Sequence, residues 1–445
     1  MSTSAVSEKA PDDSSKLKTF LSILRKYTTL PPLAPAPWRC APHTQTLIFR
    51  GTRFVGVADI ASVRFSLPAQ LLEPRPNLDR PETFASIGKS DDELGRMLEV
   101  LRFWFTKDLK YIKGKPCKPY NSTLGEFFRC NWDVNDNIPE EKNLPGINAS
   151  SSGSSAVTDG DQKVKVCYLT EQTSHHPPVS AFYIDCPERG VSARGFDQIS
   201  AKFTGTSIRV SPGQHNLGIF VNIEKRDNEE YQLTHPDAHL GGILRGALSI
   251  TVADTCYVTC PKTGLKAILQ YMEEGWIGRT QNKLEGVIFR YSPDKDSATR
   301  LKDVPESDIV ARITGSWHGK IYFTPAGTKE PRLLIDITPL LPVAKSLPPS
   351  EEQLSNESLK FWSEVTAAIV DKQFSQATKL KQDIEERQRQ RAAERNDKGV
   401  EWSPRFFTGA VTPLGKPELT EEGQKVLQGI RSGEFALTES TVQGA

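Results

Sequence analysis

The sequence predicts an α+β fold that is mainly β: an antiparallel sheet that curls or closes into a barrel, with helices before and after it. Three observations predict it. From about residue 163 to 340 the apolar residues recur with a period of two. The runs are separated by turn clusters such as SPGQHN, YSPDKDS and TPAGTKEP, with no helical pattern between them. Helical spacing is confined to the two flanks.

The elements follow in order. Residues 1–13 are polar and read as disordered. Ser14 and Ser15 are N-cap candidates for KLKTFLSILRKY, where Leu17, Phe20, Leu21, Leu24 and Tyr27 keep helical spacing among Lys16, Lys18, Arg25 and Lys26. A short basic amphipathic helix over 14–27 either lies on an anionic membrane surface or caps a hydrophobic opening of its own protein. Residues 28–53 are a proline-rich linker or insertion, and 54–445 read as one domain. Its first helix starts near Asp91, with Leu94, Met97, Leu98, Leu101 and Phe105 on one face.

The segment 143–161 has the composition of a flexible loop tip. The expected strands are VKVCYL, SARGF, AKFTGTSIRV, Leu217 to Ile223, YQLTH, Leu248 to Val252, KAILQYM, EGVIFRYS, GKIYF and RLLIDI. Helix returns over 350–396, and 397–445 is a tail containing WSPRFF. A barrel with this many strands is wide enough to enclose a small apolar ligand.

Composition narrows the function. The chain has 445 residues and a formal net charge of +1, which does not suit a nucleic-acid partner. No run approaches the roughly 18 apolar residues of a spanning helix, and the N-terminus lacks a signal-peptide core. Seven scattered cysteines without a CxxC pair read as reduced, mostly buried thiols. GxSxG, P-loop, GxGxxG and HExxH patterns are missing, and no cysteine is followed six positions later by arginine.

The stretch EQTSHHPP, 171–178, places His175 and His176 side by side in a chain with seven histidines. Three readings compete. A shared metal is disfavoured because adjacent residues of an extended chain point opposite ways and no third ligand stands at a familiar spacing. The pair could simply pack beside Pro177 and Pro178. It could also bind an anion, since imidazoles donate hydrogen bonds to a phosphate without the full cost of burying fixed charges. An anion site needs permanent cations, which Lys118 with Asn121 in KPYNSTLGE could supply. Lys381, Glu385 and Arg389, a stripe at i, i+4 and i+8, could also supply them, unless they form an ordinary solvated helix face.

EQTSHHPP resembles the signature of the oxysterol-binding-protein family. KPYNSTLGEFFRC, GSWHGKIY, the Lys381, Glu385 and Arg389 helix and WSPRFF resemble further family segments, so that the likeness runs from about Val55 to Phe407. The resemblance implies an incomplete antiparallel β-barrel enclosing a lipid tunnel, with Leu17, Phe20, Leu21 and Leu24 on an N-terminal lid. It also implies a phosphatidylinositol 4-phosphate head-group site made by Lys118, Asn121, His175, His176, Lys381, Glu385 and Arg389.

FSLPAQLLEP and DQISAKFTGTS look closest to the fungal branch that carries phosphatidylserine, with Ser200 as a candidate contact for the serine head group; sterol is the alternative second cargo. A lipid-gated sensor and a lipid-modifying hydrolase are the rivals from other classes. The implied protein is a non-enzymatic cytoplasmic monomer without cofactor or metal, peripheral at anionic membranes and at endoplasmic reticulum contact sites. Residues 28–53 depart from the family pattern, as a longer tether or a retained intron.

Overall fold

The computed structural model describes residues 64–65, 78–113, 116–117, 120, 122–135, 163–203, 207–241, 249–272 and 282–438. The expected lid helix at 14–27, the insertion 28–53, Lys118, Asn121 and the loop tip 143–161 lie outside the described residues.

Among the described residues three helices precede the main sheet: α1 (Pro81–Ala85), α2 (Glu93–Thr106) and α3 (Leu109–Lys113). A two-stranded ribbon joins β1 (Arg64–Phe65) to β2 (Pro116–Cys117). The main sheet has fifteen strands among the described residues. It begins with β3 (Phe127–Asn135), β4 (Lys163–His175), β5 (Pro178–Cys186), β6 (Val191–Asp197), β7 (Ile199–Phe203) and β8 (Ile208–Pro212). It continues with β9 (Ile219–Ile223), β10 (Glu229–Leu233), β11 (Asp237–Gly241), β12 (Ser249–Cys260) and β13 (Leu265–Tyr271). The last strands are β14 (Lys283–Arg290), β15 (Ile309–Ser316), β16 (Lys320–Pro325) and β17 (Arg332–Asp336).

The path runs β3, β4, β5, β6, β9, β10, β12, β13, β14, β15, β16, β17, and β3 and β17 remain unpaired with each other, so the barrel is incomplete. The long β12 forks the sheet. Its Val258 and Thr259 pair with β10, whereas Ser249 to Ala253 pair with β11, which leads through β8 to β7. AKFTGTSIRV, expected as one strand, is therefore divided between β7 and β8.

One large core fills the concave side, joining Phe128, Cys130 and Trp132 of β3 to residues of strands as far along as Ile321 and Leu334. The helix α2 belongs to the same cluster, with Met97, Val100, Leu101 and Phe103 all at 0% exposure. A helix buried almost all round lies inside the barrel, not on its surface with one wet face. That corrects the single apolar face expected from the spacing. The charged residues of α2 are paired: Arg96 makes two hydrogen bonds of 2.7 and 2.8 Å to Glu229, and Glu99 accepts the N–H groups of Gly88 and Ser90.

The strands β3 and β5 went unrecognised in the alternation because both of their faces are covered. Phe128, Cys130, Trp132, Phe182 and Ile184 face the interior, while Phe127, Val179 and Ala181 belong to a second cluster with Phe406, Phe407, Val426, Leu427 and Ile430. Strands buried on both faces read as continuous apolar runs. Their outer cover is the segment expected as a tail. It contains α7 (Glu421–Ser432), N-capped by Thr420 and ended by Gly433 at φ 79°. Before it come α4 (Ser358–Phe361), α5 (Ser363–Val370) and α6 (Phe374–Asp397). Cys130, Cys167, Cys186, Cys256 and Cys260 are buried free thiols, and burial pushes Cys167 and Cys186 up to about 12.

Candidate functional site

His175 is the last residue of β4 and pairs across the hairpin with Pro178, so His176 and Pro177 form the turn. The register of β4 against β5 shifts between Gln172 and Ser174, a local irregularity that re-aims side chains at the strand end. The two imidazoles consequently do not diverge as in an extended chain. Their ring centroids are 4.6 Å apart at an interplanar angle of 62°. Both histidines are exposed, as are Pro177 and Pro178 beside them. His175 Nδ1 lies 2.9 Å from Nε2 of the buried Gln172, a contact that orients this ring.

The hairpin is held from beneath by three buried residues of the same string. Both carboxylate oxygens of Glu171 accept backbone hydrogen bonds of 2.8 Å, from the N–H groups of Arg405 and Phe406. Burial nevertheless pushes this carboxyl up to about 7. The Thr173 hydroxyl donates to the carbonyl of Ala410 at 2.6 Å. The Gln172 backbone pairs both ways with the turn before β3: its N–H donates to Glu126 O at 2.8 Å, and its carbonyl accepts from Gly125 N at 3.0 Å. EQTSHHPP, the LGE turn and WSPRFF thus form one contact unit, with Trp402 packed against Gly125.

That turn is also fixed to the C-terminal helices. Glu126 Oε1 accepts from Ser358 Oγ at 2.7 Å and Trp362 Nε1 at 3.0 Å, and Oε2 accepts from Thr123 N. Tyr120 stacks on Trp362 with centroids 4.3 Å apart and planes 6° from parallel. Trp362 shares a small core with Ala377 and Ile384 of α6, against which Tyr120 and Leu380 pack. The chain around Tyr120 therefore links the hairpin to the helix carrying Lys381.

On α6, Lys381 and Glu385 are half-buried and paired at 2.6 Å. Arg389, two turns beyond Lys381 on the same helix, is exposed and bonds Glu386 at 2.7 and 3.0 Å. A pair at i, i−3 satisfies its guanidinium as well as one at i, i−4 would. Ser200 is exposed on β7, opposite Ser211. It lies at the hairpin end of the sheet, because β6 returns beside Pro178 with Asp197 opposite Ser180 and passes through Gln198 into β7. The supports Glu126, Glu171, Gln172, Thr173 and Trp362 were not singled out from the sequence. The partners of Glu171, Thr173 and Trp362 lie more than two hundred positions away, those of Gln172 lie in the turn before β3, and no periodicity marks them.

An incomplete antiparallel barrel with an internal helix and a rim hairpin carrying two exposed imidazoles defines a class of open-barrel binding proteins. The chain belongs to the oxysterol-binding protein family, whose sequence profile matches residues 63–368. Oxysterol-binding protein-like protein 1 of Schizosaccharomyces pombe is 42% identical over 463 aligned residues, covering 86% of this chain and 90% of that protein. Human oxysterol-binding protein-related protein 9 is 30% identical over 354 residues, 77% of this chain and 44% of that one.

Among solved structures, the Osh1 ORD domain in complex with ergosterol is similar with a TM-score of 0.57 at 16% identity, over 97% of this chain and 100% of that one. The Osh3 ORD of Saccharomyces cerevisiae in complex with PI(4)P gives 0.54 at 15%, over 83% and 89%. At such identities the likeness is one of fold.

Proposed function

We propose that this protein is a lipid-transfer protein that takes up phosphatidylinositol 4-phosphate and exchanges it for phosphatidylserine between membranes. The observation that carries the reading is the exposed pair His175 and His176 at a rim hairpin, anchored by Glu171, Gln172 and Thr173. Imidazoles fixed at a rim serve a ligand, since they contribute little to the core. Lys381, with Glu385 as its present partner, and Lys118, Asn121 and Arg389 complete the proposed head-group set, and Ser200 is the proposed contact for the serine head group. The relative crystallised with PI(4)P supports a phosphoinositide.

The physical logic is exclusion. A phosphoinositide phosphate is too anionic for an apolar interior and stays among His, Lys and Arg while its acyl chains go inside. A second lipid in the same interior is then excluded by occupancy, so cargo alternates without a chemical step. The protein would act in the cytoplasm as a monomer, peripheral at anionic membranes and at endoplasmic reticulum contact sites. Sterol as the second cargo is favoured by a specific observation, the complexes of the Osh1 ORD domain with cholesterol and ergosterol.

The test is incubation of purified protein with liposomes of mixed cellular lipids, re-isolation and mass spectrometry of what it carries. Phosphatidylinositol 4-phosphate with phosphatidylserine is the expected pair. Sterol in place of phosphatidylserine moves the protein to the second reading, and no lipid refutes both. Tight binding with negligible transfer between liposomes marks a sensor instead. Replacing both His175 and His176 with Ala should reduce phosphoinositide capture by at least about a hundredfold, two charge-assisted hydrogen bonds being lost. Its melting temperature should stay at the wild-type value; a double variant that unfolds would return the pair to a packing role.

A further inference from the structure

The loop after WSPRFF carries Leu414, at 70% exposure the most exposed large apolar side chain among the described residues. It is held at the tip of a tight turn. Gly415 N donates to Thr412 O at 3.1 Å, and Gly415 takes φ +68°, a conformation that favours glycine. The Thr412 hydroxyl closes the turn by donating to Lys416 O and accepting from Lys416 N, both at 3.0 Å. Lys416 in turn pairs with Glu230 and sits 4.8 Å over the Phe220 ring. Exposure of Leu414 is thus built in by the turn and its anchors.

Other apolar tips adjoin it. Leu217, 39% exposed, packs so closely on Gly415 that a methyl group there would lie 2.8 Å from Leu217 Cβ. Val411 follows Ala410, whose carbonyl holds Thr173 beneath the imidazole hairpin, and Pro177 and Pro178 are exposed at the hairpin itself. The loop before Leu217 is tied to Gln198 through Gly213 N and His215 N, next to the exposed Ile199 of β7.

We propose that these tips, led by Leu414 with Val411 and Leu217, form an apolar rim that dips into the lipid bilayer and sets the His175 and His176 hairpin at head-group depth. The proposal rests on the lipid-transfer reading. Two observations favour a bilayer over a protein partner. Val411 and Leu414 stand on one short loop and Leu217 on a second that follows Gln214, His215 and Asn216, a small set of tips that suits a soft apolar layer; a stable protein interface needs a continuous patch of roughly 800 Å² per partner. A net charge of +1 also supplies little coulombic attraction to a membrane, so apolar insertion must contribute much of the affinity.

The experiment is sedimentation of the full chain with phosphatidylcholine vesicles containing phosphatidylserine and no phosphoinositide. Leu414→Asp should lower partitioning by roughly tenfold or more, the loss expected for one large apolar side chain. Leu414→Gln should lower it in the same direction. Val370→Asp, at another exposed apolar position, should leave it unchanged. Leu414→Asp should keep the wild-type melting curve and still capture a short-chain soluble phosphoinositide. Unchanged partitioning of both Leu414 variants overturns the rim. So does a loss of self-association by light scattering without a change in partitioning, which would make the loop an interface between copies. If wild type partitions, Leu414→Asp does not, and neither captures phosphoinositide, the rim stands and the transfer reading falls.

Discussion

Glu171 is 1% exposed, and both of its carboxylate oxygens are occupied by backbone N–H groups 234 and 235 positions along the chain. Burial raises its pKa from the ordinary 4.5 to about 7. The folded protein therefore holds this proton more tightly than the unfolded chain does. The stability that results is complete below about pH 4.5 and is lost as pH rises through about 7. The urea midpoint of the wild type should fall between pH 5 and pH 8 relative to that of Glu171→Gln, which titrates nothing at this position. Parallel profiles for the two proteins would show that Glu171 titrates as an ordinary carboxyl. The residue scale also shows what could be read from the string EQTSHHPP. Its two histidines stood out by rarity and resemblance, and both are exposed. The work of Glu171 and Thr173 was hidden, because a contact across such a separation leaves no local pattern.

Elements were legible where one face is wet. In β10, which overlaps the expected strand YQLTH, buried residues alternate with half-buried ones; in β15 they alternate with half-buried and exposed ones, yet that strand was not among those expected. In β3, which is covered on both sides, the alternation disappears. The edge of β3 illustrates a second device the sequence did not announce. Its free edge bridges to Ser346 and Glu357, and Arg129, 1% exposed, reaches Glu357 through two hydrogen bonds of 3.2 Å and Glu352 O through a third. Removing one partner leaves a buried charge unmatched, so Arg129→Ala should lower unfolding free energy by about 3–5 kcal/mol. Replacing Arg129 and Glu357 together with Met and Leu should recover most of that loss. Urea titration of the three proteins decides it: a single variant within about 1 kcal/mol of wild type would mean that the pair does not pin the 346–357 segment to the sheet.

At the scale of the whole molecule the family profile ends at residue 368, yet the folded structure continues to 438. The extension is part of the core. Phe406, Phe407, Val426, Leu427 and Ile430, all at 3% exposure or less, close the outer face of β3 to β6 over Phe127, Leu169, Val179 and Phe196. Five such side chains at about 1.5–3 kcal/mol each contribute roughly 8–15 kcal/mol, comparable to the entire stability of a typical domain. Chain ending at Lys398 should therefore fail to accumulate as a soluble cooperative fold, as read by expression yield and thermal melting. The His175→Ala and His176→Ala protein should accumulate normally. The same segment supplies the N–H groups that bind Glu171 and the carbonyl that binds Thr173, so the hairpin of His175 and His176 is supported by residues 405–410. A truncated protein that melted like wild type would show that α7 merely rests on the barrel, and the hairpin should then be tested for ligand capture in that shorter chain.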